Sequence, residues 1–236
     1  MSPENVGARL RAARTARGLS LRGVAQALGV SASLISQVET GKTQPSVSTL
    51  YALVNPLGIS IDDLLGVKPL PAAAQDDHPT VVNPDAPIPA GPVVQRGEDN
   101  PVLEMENGVR WERLAMGTGG PADAILATYE PGASSSVEGR LMRHAGIEYA
   151  YLLEGELTLQ LEFDSHVLRA GDSLHFDSVR PHLYVNRADV PARGLWFVVG
   201  RRQQNQTLPA DPDAQPSRPD QPLGSAVDVL RAIDEL

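Results

Sequence analysis

The sequence predicts a protein of two unlike domains, the first α-helical and the second all-β, joined by a segment rich in proline. Apolar residues recur at helical spacing over roughly the first 66 positions, and after Pro101 they alternate with polar residues as strands do. Eight prolines fall between Pro69 and Pro101, where a residue without a backbone donor can neither continue a helix nor fill a central strand. The expected organisation is helices over 1–68, a proline-rich linker over 69–101, strands over 102–200, and a proline-rich tail with room for a short helix over 201–236.

The N-terminal domain is expected to contain five helices, because five periodic segments carry their own start or stop signals. The first segment places Val6, Leu10 and Ala13 on one face and stops at Gly18, whose flexibility disfavours a helix. Serine, whose hydroxyl can accept a hydrogen bond from a free helical N–H, stands before three of the later segments. The three N-cap candidates are Ser20, Ser31 and Ser46, and the fifth segment spans residues 61–65.

The second and third helices are expected over 20–28 and 31–39, with only Gly29 and Val30 turning between them. A short glycine-containing turn between two short helices is the helix-turn-helix arrangement. The matching positions read Leu19-Ser-Leu-Arg-Gly-Val-Ala-Gln-Ala-Leu-Gly-Val30, Ser31-Ala-Ser-Leu-Ile-Ser-Gln-Val-Glu-Thr-Gly-Lys42 and Pro45-Ser-Val. In order and spacing they resemble the lambda-repressor-like (Xre) family, over residues 5–66.

The resemblance implies that helix 31–39 enters the major groove of double-stranded operator DNA, and that the protein works as a homodimer on two half-sites. Gln37 is the best candidate for reading a base, because its amide donates and accepts together, which suits adenine. Basic and polar residues around the helix would contact phosphate oxygens. The alternative is a five-helix bundle whose serines and glutamines simply face water. The candidate DNA-binding residues are Arg22, Ser31, Ser33, Ser36, Gln37, Lys42, Thr43 and Gln44.

The charge of the chain changes sign between its parts. Over 1–68 seven basic residues meet four acidic ones, a charge of +3, so the rest must carry −12 to reach the total of −9. Such asymmetry is typical of a nucleic-acid-binding module joined to a different domain. The absence of cysteine excludes a disulfide framework, a Cys-ligated zinc site and thiol catalysis. No apolar run approaches the ~18 residues that span a bilayer, and the N-terminus lacks a signal layout, so we expect a cytoplasmic protein without a membrane partner.

The domain after the linker is expected to be an all-β sandwich or barrel. From Leu157 to Phe163, apolar residues at every second position alternate with polar ones, which predicts a half-buried strand that runs through Phe163. Glycine-containing turns at Gly155 and Gly171 punctuate the strands, as they do in antiparallel sandwiches. The serine-rich segment 134–136 follows a Pro-Gly pair and is interpreted as part of a β-turn without a further role.

Two stretches of the β domain carry histidine and glutamate at defined spacing. They read His144-Ala-Gly-Ile-Glu148-Tyr-Ala-Tyr-Leu-Leu-Glu-Gly155 and Gly171-Asp-Ser-Leu-His-Phe-Asp-Ser-Val-Arg-Pro181-His182-Leu-Tyr-Val-Asn186. Both resemble the signature motifs of the cupin superfamily, a jelly-roll β-barrel whose motif histidines and glutamate point into the barrel. The resemblance implies His144, Glu148 and His182 as metal ligands.

One ligand of the first cupin motif is replaced in this chain, since Met142 stands where the first histidine is expected. Met142 shares strand parity with His144, so we expect its thioether to form a wall of the ligand pocket beside the three candidate ligands. Two imidazoles and one carboxylate match the set that binds non-haem Fe(II), and this set could also hold Zn, Ni or Mn. A metal-free pocket, in which the two histidines hydrogen-bond a ligand or their neighbours, is equally open.

Together these features predict a sequence-specific transcriptional regulator, without enzymatic activity, whose cupin domain senses a small-molecule effector or a metal. A ligand shifts an equilibrium only by its differential affinity for two states, so the linker must be accompanied by a direct contact between domains or subunits. The alternative is an iron-dependent oxygenase, because the chain also resembles a few phosphonate epoxidases in which an Xre-like head precedes a cupin with a His, a Glu four residues later and a further His. The intact segment 31–42 with Arg22 favours the regulator, since an enzyme has no need of a DNA-reading surface.

Overall fold

Five α-helices precede nine strands in the computed structural model, which describes residues 3–65, 94–115, 122–137 and 139–200. Two single-turn 3-10 helices, Gly97–Asp99 and Glu106–Gly108, flank the first strand. This order confirms the predicted fold class, a helical domain ahead of an all-β domain. The predicted tail with its short helix, and the predicted linker up to residue 93, lie outside the described residues. The longest described helix has 14 residues, and no helix in the described ranges is long and apolar enough to cross a bilayer.

The helices begin and end at the signals that the sequence carries. Ser20 Oγ accepts a hydrogen bond from Gly23 N at 3.0 Å, and Ser31 Oγ accepts one from Leu34 N at 3.0 Å. Gly29 follows the second helix with φ = 66°, in the left-handed region that glycine enters without a Cβ clash. We refer to the five helices as the head: α1 (Pro3–Ala16), α2 (Leu21–Leu28), α3 (Ala32–Glu39), α4 (Val47–Leu57) and α5 (Ile61–Leu65).

A buried ion pair joins α1 and α3. Arg14 donates from Nε and Nη2 to the two carboxylate oxygens of Glu39, at 2.6 and 2.8 Å, and from Nη1 to Leu19 O at 2.7 Å. Gly7 lets the same two helices approach closely, because a Cβ there would lie 2.3 Å from Val38 O. Arg14 is therefore a structural residue of the head, although it stands among the arginines that make α1 basic.

The strands, which we refer to as the barrel, form two sheets. They are β1 (Val102–Glu104), β2 (Val109–Arg113), β3 (Ala122–Tyr129), β4 (Ile147–Glu154), β5 (Glu156–Leu161), β6 (Asp164–Arg169), β7 (Ser173–Asp177), β8 (His182–Val185) and β9 (Ala192–Val199). One sheet has the order β1-β2-β3-β9-β4-β7 and the other β6-β5-β8, with every pair antiparallel. Side chains of both sheets share one buried apolar cluster, for example Ile125, Leu157 and Trp196.

The hairpin between β5 and β6 corrects one prediction. The strand ends at Leu161, and Phe163 is fully exposed in the turn instead of extending the alternation. Glu162 has φ = 56°, a left-handed conformation that suits a chain reversal. Phe163 continues the every-second-residue spacing of the buried leucines although the strand has already ended. The alternating pattern therefore extends past the strand into the turn, and it predicted a strand that is too long.

The head packs against the barrel within one compact unit, Met1–Asn205. At the start of α4, Ser48 N donates to Ser135 O of the barrel at 2.9 Å, so a barrel carbonyl accepts from a first-turn N–H that has no partner within its own helix. Arg113 Nε donates to Asp62 Oδ1 of α5 at 2.8 Å, and both side chains are buried. The segment 134–136 therefore belongs to the domain contact, and its interpretation as a turn without a further role is wrong.

Candidate functional site

The eight candidate DNA-contacting residues lie on and beside the helix-turn-helix pair of the head. Arg22 stands in the first turn of α2 and Ser31 caps α3. Lys42 N donates to Gln37 O at 2.9 Å, which holds the basic residue against the C-terminal end of α3. None of the eight is buried: five are exposed (Arg22, Ser31, Ser33, Gln37 and Lys42) and three are half-buried (Ser36, Thr43 and Gln44).

The barrel brings His144, Glu148 and His182 together from separate parts of the chain. Glu148 lies on β4 and His182 begins β8, while His144 stands on the segment before β4. His144 Nε2 lies 2.7 Å and His182 Nε2 lies 3.2 Å from Glu148 Oε1, and all three side chains are buried. A pair of backbone hydrogen bonds between Met142 and His182, 2.8 and 3.0 Å long, fixes the register between the segment before β4 and the start of β8, and so sets His144 beside His182.

The two histidines are oriented as metal ligands are. His144 Nδ1 lies 3.1 Å from Ala145 O and His182 Nδ1 lies 2.8 Å from Arg180 O, which assigns the ring proton to Nδ1 in both. Each Nε2 then presents a lone pair, and despite the short distances neither Nε2 is in hydrogen-bond geometry with Glu148. The three ligand atoms lie within 4.8 Å of one another. A divalent cation would satisfy both lone pairs and the carboxylate at once, so this buried group could hold a metal.

The charge of Glu148 is stabilised by its neighbours. Burial alone would raise the pKa of Glu148, but positive charge beside the carboxylate, on protonated rings of His144 and His182, outweighs burial and holds the pKa far below its usual range. A cation bound in place of the two Nε2 protons would act in the same direction. Tyr184 OH donates to Glu148 Oε2 at 2.7 Å, and burial together with the Glu148 charge raises the pKa of Tyr184 well above its ordinary value. Tyr184 was not among the predicted site residues. It stands two positions after His182 on β8 and therefore faces the same side of the strand, which is the signal that could have found it.

The space inside the barrel beside Glu148 is small, about 20 Å³, and the head closes it. Val47 and Tyr51 of α4 line this cavity together with barrel residues that include Met142. The Tyr51 ring stacks on the imidazole of His144, with ring centres 4.1 Å apart and planes 17° from parallel. A cavity of this size holds about one water-sized group. A residue of the head thus completes the wall of the barrel site, which no sequence motif had indicated.

Comparison with known proteins agrees with both parts of this architecture. A family described as a helix-turn-helix domain matches residues 5–65, and one described as a cupin domain matches residues 125–198. The HTH-type transcriptional regulator PuuR of Escherichia coli (strain K12) is 30% identical over 189 residues, which cover 79% of this chain and 91% of that protein.

Two solved structures show how far the likeness extends in three dimensions. An HTH_3 family transcriptional regulator from Vibrio cholerae has a TM-score of 0.57 and 19% identity, over 84% of this chain and 96% of that chain, and so shares the fold. Hydroxypropylphosphonic acid epoxidase from S. wedmorenis reaches a TM-score of only 0.40 at 16% identity, over 84% and 98% of the two chains, which is too low to support an argument about function. The chain belongs to the HTH-type transcriptional regulators, as a DNA-binding helix-turn-helix domain followed by a cupin sensing domain.

Proposed function

We propose that the protein binds an operator as a homodimer through α3, and that its cupin barrel senses a small molecule or a metal. The observation that carries the proposal is the surface of α3, where exposed polar side chains lie between two exposed basic residues, Arg22 and Lys42. The second helix of such a pair is the one that enters the major groove. The charge of +3 over 1–68 favours the approach of the head to phosphate, whereas the −12 of the remainder opposes the approach of the barrel.

The residues of this surface divide by the DNA group that each would contact. Gln37 is assigned to a base edge, because its exposed amide can donate and accept toward an adenine. The three serines of the surface would contact base edges or phosphates, and the remaining residues would contact phosphates, which position the head without specifying sequence. The serines are Ser31, Ser33 and Ser36, and the phosphate contacts are Arg22, Lys42, Thr43 and Gln44.

An apolar face on the outside of the barrel supports the homodimer. Ile147, Tyr149 and Tyr151 of β4 are 41, 45 and 45% exposed, and Phe197 of β9 lies opposite Tyr149 and is 38% exposed. Exposed apolar residues that adjoin one another on a sheet face are typical of protein–protein interaction sites. We propose that a second copy of the chain packs against this face. That copy would also supply the second head that an operator with two half-sites requires.

The buried group in the barrel is proposed to bind a divalent cation (Fe, Zn, Ni or Mn) through His144, Glu148 and His182. Such an ion supplies a Lewis-acidic contact for an oxygen atom of an effector. Tyr184 engages Glu148 Oε2, which leaves Oε1 facing the two histidines. Met142 stays a pocket wall in this proposal, because a thioether is a poor ligand for a hard dication.

The oxygenase alternative depends on the same three ligands and differs in the space that it needs. With Val47 and Tyr51 in place, the cavity of about 20 Å³ has no room for an organic substrate beside a metal. Turnover would therefore require α4 to withdraw, as effector binding does, so the exposed polar and basic surface of α3 is what supports the sensing role over turnover. A chain that binds Fe(II) in stoichiometric amount, consumes oxygen and shows no DNA preference would instead support the oxygenase.

The operator proposal is tested by electrophoretic shifts on the DNA upstream of the protein's own gene, over a range of salt concentrations. Gln37→Ala is expected to relax the preference at one base position, at a cost of about 1–3 kcal/mol for the preferred base. Lys42→Ala is expected to weaken binding to all sequences alike. It should also reduce the slope of log binding constant against log salt concentration by about 1, because one phosphate contact fewer releases fewer counterions.

Arg187→Ala is the matched control, because it removes the same charge from an exposed barrel position away from α3. We expect this variant to keep the wild-type salt dependence. Equal losses of DNA affinity in Lys42→Ala and Arg187→Ala would show that binding depends only on the total charge of the protein. A wild-type chain without sequence preference at ~100 mM salt would contradict the proposal altogether.

A further inference from the structure

One face of α4 belongs to the barrel although the helix is part of the head. Val47 and Tyr51 stand one turn apart on that face, both line the barrel cavity, and they are only 1% and 3% exposed. Leu50 lies in the same helix and is fully buried, yet it does not line the cavity. The helix therefore uses separate side chains for the barrel site and for the rest of the apolar core.

The Tyr51 ring is held in the way that a bound ligand is held. It lies flat on His144, with ring centres 4.1 Å apart, and meets the edge of Trp111 at 5.7 Å and 61°. Stacked and edge-to-face contacts are the arrangements that aromatic rings favour. With the ring in place only about 20 Å³ remains beside Glu148, so a molecule that contacts the stacked face of His144 must take the space of Tyr51.

Resting on the sensing function proposed above, we propose that Tyr51 is an internal ligand of the barrel, which an effector must displace in order to bind. The space that the ring leaves defines the class of effector. It is a small molecule with a flat group about the size of one aromatic ring, which stacks on His144 and directs a polar group toward Glu148 or an ion held there. Because α4 carries Tyr51, a bound effector and a docked head exclude each other.

The neighbouring contacts connect this displacement to the DNA-binding surface. Ser48, one turn before Tyr51, donates its backbone N–H to Ser135 O of the barrel at 2.9 Å. Arg140 of the barrel donates to Gly29 O, in the turn between α2 and α3, at 3.2 Å. Withdrawal of α4 from the barrel would loosen both contacts, and the second of them holds the helix-turn-helix pair itself.

A cleft beside α4 offers a path for the effector. It measures about 690 Å³ and is lined by Ser48, Thr49 and Ala52 of α4 and by Met142 of the barrel. Met142 also lines the small cavity, so its side chain separates the two spaces. A molecule in the cleft would lie beside Ser48, with the side chain of Met142 between it and the small cavity.

The test uses the full chain with p-cresol, which is the tyrosine side chain as a free molecule. Tyr51→Ala is expected to bind one p-cresol per chain, at least tenfold more tightly than wild type, because an apolar cavity binds the group that fits it. Hydrogen exchange of Ser48 N–H, followed by NMR, is expected to be at least tenfold faster in Tyr51→Ala. Saturating p-cresol should not slow this exchange to the wild-type rate, because the free molecule fills the site without tethering α4.

Leu50→Ala is the matched control, since it opens a cavity in the same helix away from the barrel site. It is expected to bind p-cresol no more tightly than wild type does. Circular dichroism of each variant shows whether the head is folded. If Tyr51→Ala does not fold, Tyr51→Leu keeps an apolar side chain in the helix but loses the stack on His144, and faster exchange at Ser48 is again expected.

Unchanged exchange at Ser48 in a folded Tyr51 variant would overturn the proposal, as would p-cresol binding to Tyr51→Ala that is no tighter than to wild type. Neither measurement requires DNA. Failure of the wild-type chain to select an operator would therefore refute the regulatory function, whereas the p-cresol binding and hydrogen exchange of the Tyr51 variants could still be interpreted independently.

Discussion

In the head, the side chains proposed to contact DNA lie on one short segment with Arg22 beside it, and none of them is buried. In the barrel, the candidate ligands come from positions 144, 148 and 182, and all three are buried. The head therefore meets its partner with the surface that it already presents. The barrel site is closed in the same arrangement, and Tyr51 of the head is part of the closure.

This difference indicates which region has to move. A helix that lies in the major groove needs exposed side chains at a fixed spacing, and α3 provides them without rearrangement. A ligand that reaches Glu148 needs an opening, and the residues that block it belong to α4 of the head. We therefore expect regulation to act at the contact between the two regions, because α3 is exposed as it stands whereas the barrel site opens only when α4 withdraws.

The largest expected effect concerns the buried charge that links the regions. Arg113 Nε donates to Asp62 Oδ1 at 2.8 Å, and the side chains are 4% and 5% exposed. Arg113→Met leaves the buried carboxylate without this cation, which typically lowers the free energy of unfolding by about 3–5 kcal/mol. Urea denaturation followed by tryptophan fluorescence measures the loss.

Arg169→Met is the control for that prediction, because Arg169 pairs with Glu156 at 3.4 Å on the surface of the barrel and its side chain is 72% exposed. An exposed pair of this kind contributes about 0–1 kcal/mol. If both variants lost the same amount, the link between head and barrel would not depend on buried charge.

The head was largely predictable because its signals are local. Ser20 and Ser31 each cap an N–H three residues later, and Gly29 adopts the positive φ that ends α2, so each signal lies next to the structure that it specifies. The Arg14–Glu39 pair was not predictable, since its members are 25 residues apart. An arginine on a helix gives the same pattern whether it faces water or a buried carboxylate.

The barrel site was predictable only in part, through its resemblance to the cupin motifs. Those motifs name ligands from strands that meet in space, but they do not cover the head, so they could not indicate Tyr51. A weak signal did exist in the sequence of α4, where apolar residues occupy more positions than a single stripe needs. A helix of this kind packs on two sides, and the buried set is Val47, Leu50, Tyr51, Leu53, Val54 and Leu57.

The second prediction tests whether burial distinguishes a ligand from an ordinary histidine. His182 is fully buried beside Glu148, whereas His175 lies exposed on β7, against Tyr149. Loss of a residue that merely orients a metal ligand weakens binding 10–100-fold, so loss of a ligand itself should exceed ~100-fold. His182→Ala should therefore lose Zn or Ni after dialysis against buffered metal, and His175→Ala should retain it. Equal metal content in the two variants by elemental analysis would remove the proposed site.

The smallest expected effect separates folding from DNA contact within the head. Ser20 and Ser31 accept equivalent capping hydrogen bonds, each 3.0 Å long, so alanine at either position should cost about 1 kcal/mol of stability. Only Ser31 lies at the start of the helix proposed to enter the groove. Ser31→Ala should thus weaken operator binding beyond the matched thermal destabilisation, while Ser20→Ala should not. Equal operator affinities in two equally destabilised variants would mean that Ser31 acts on DNA only by holding α3 in place, and the contact surface would then begin at Ser33.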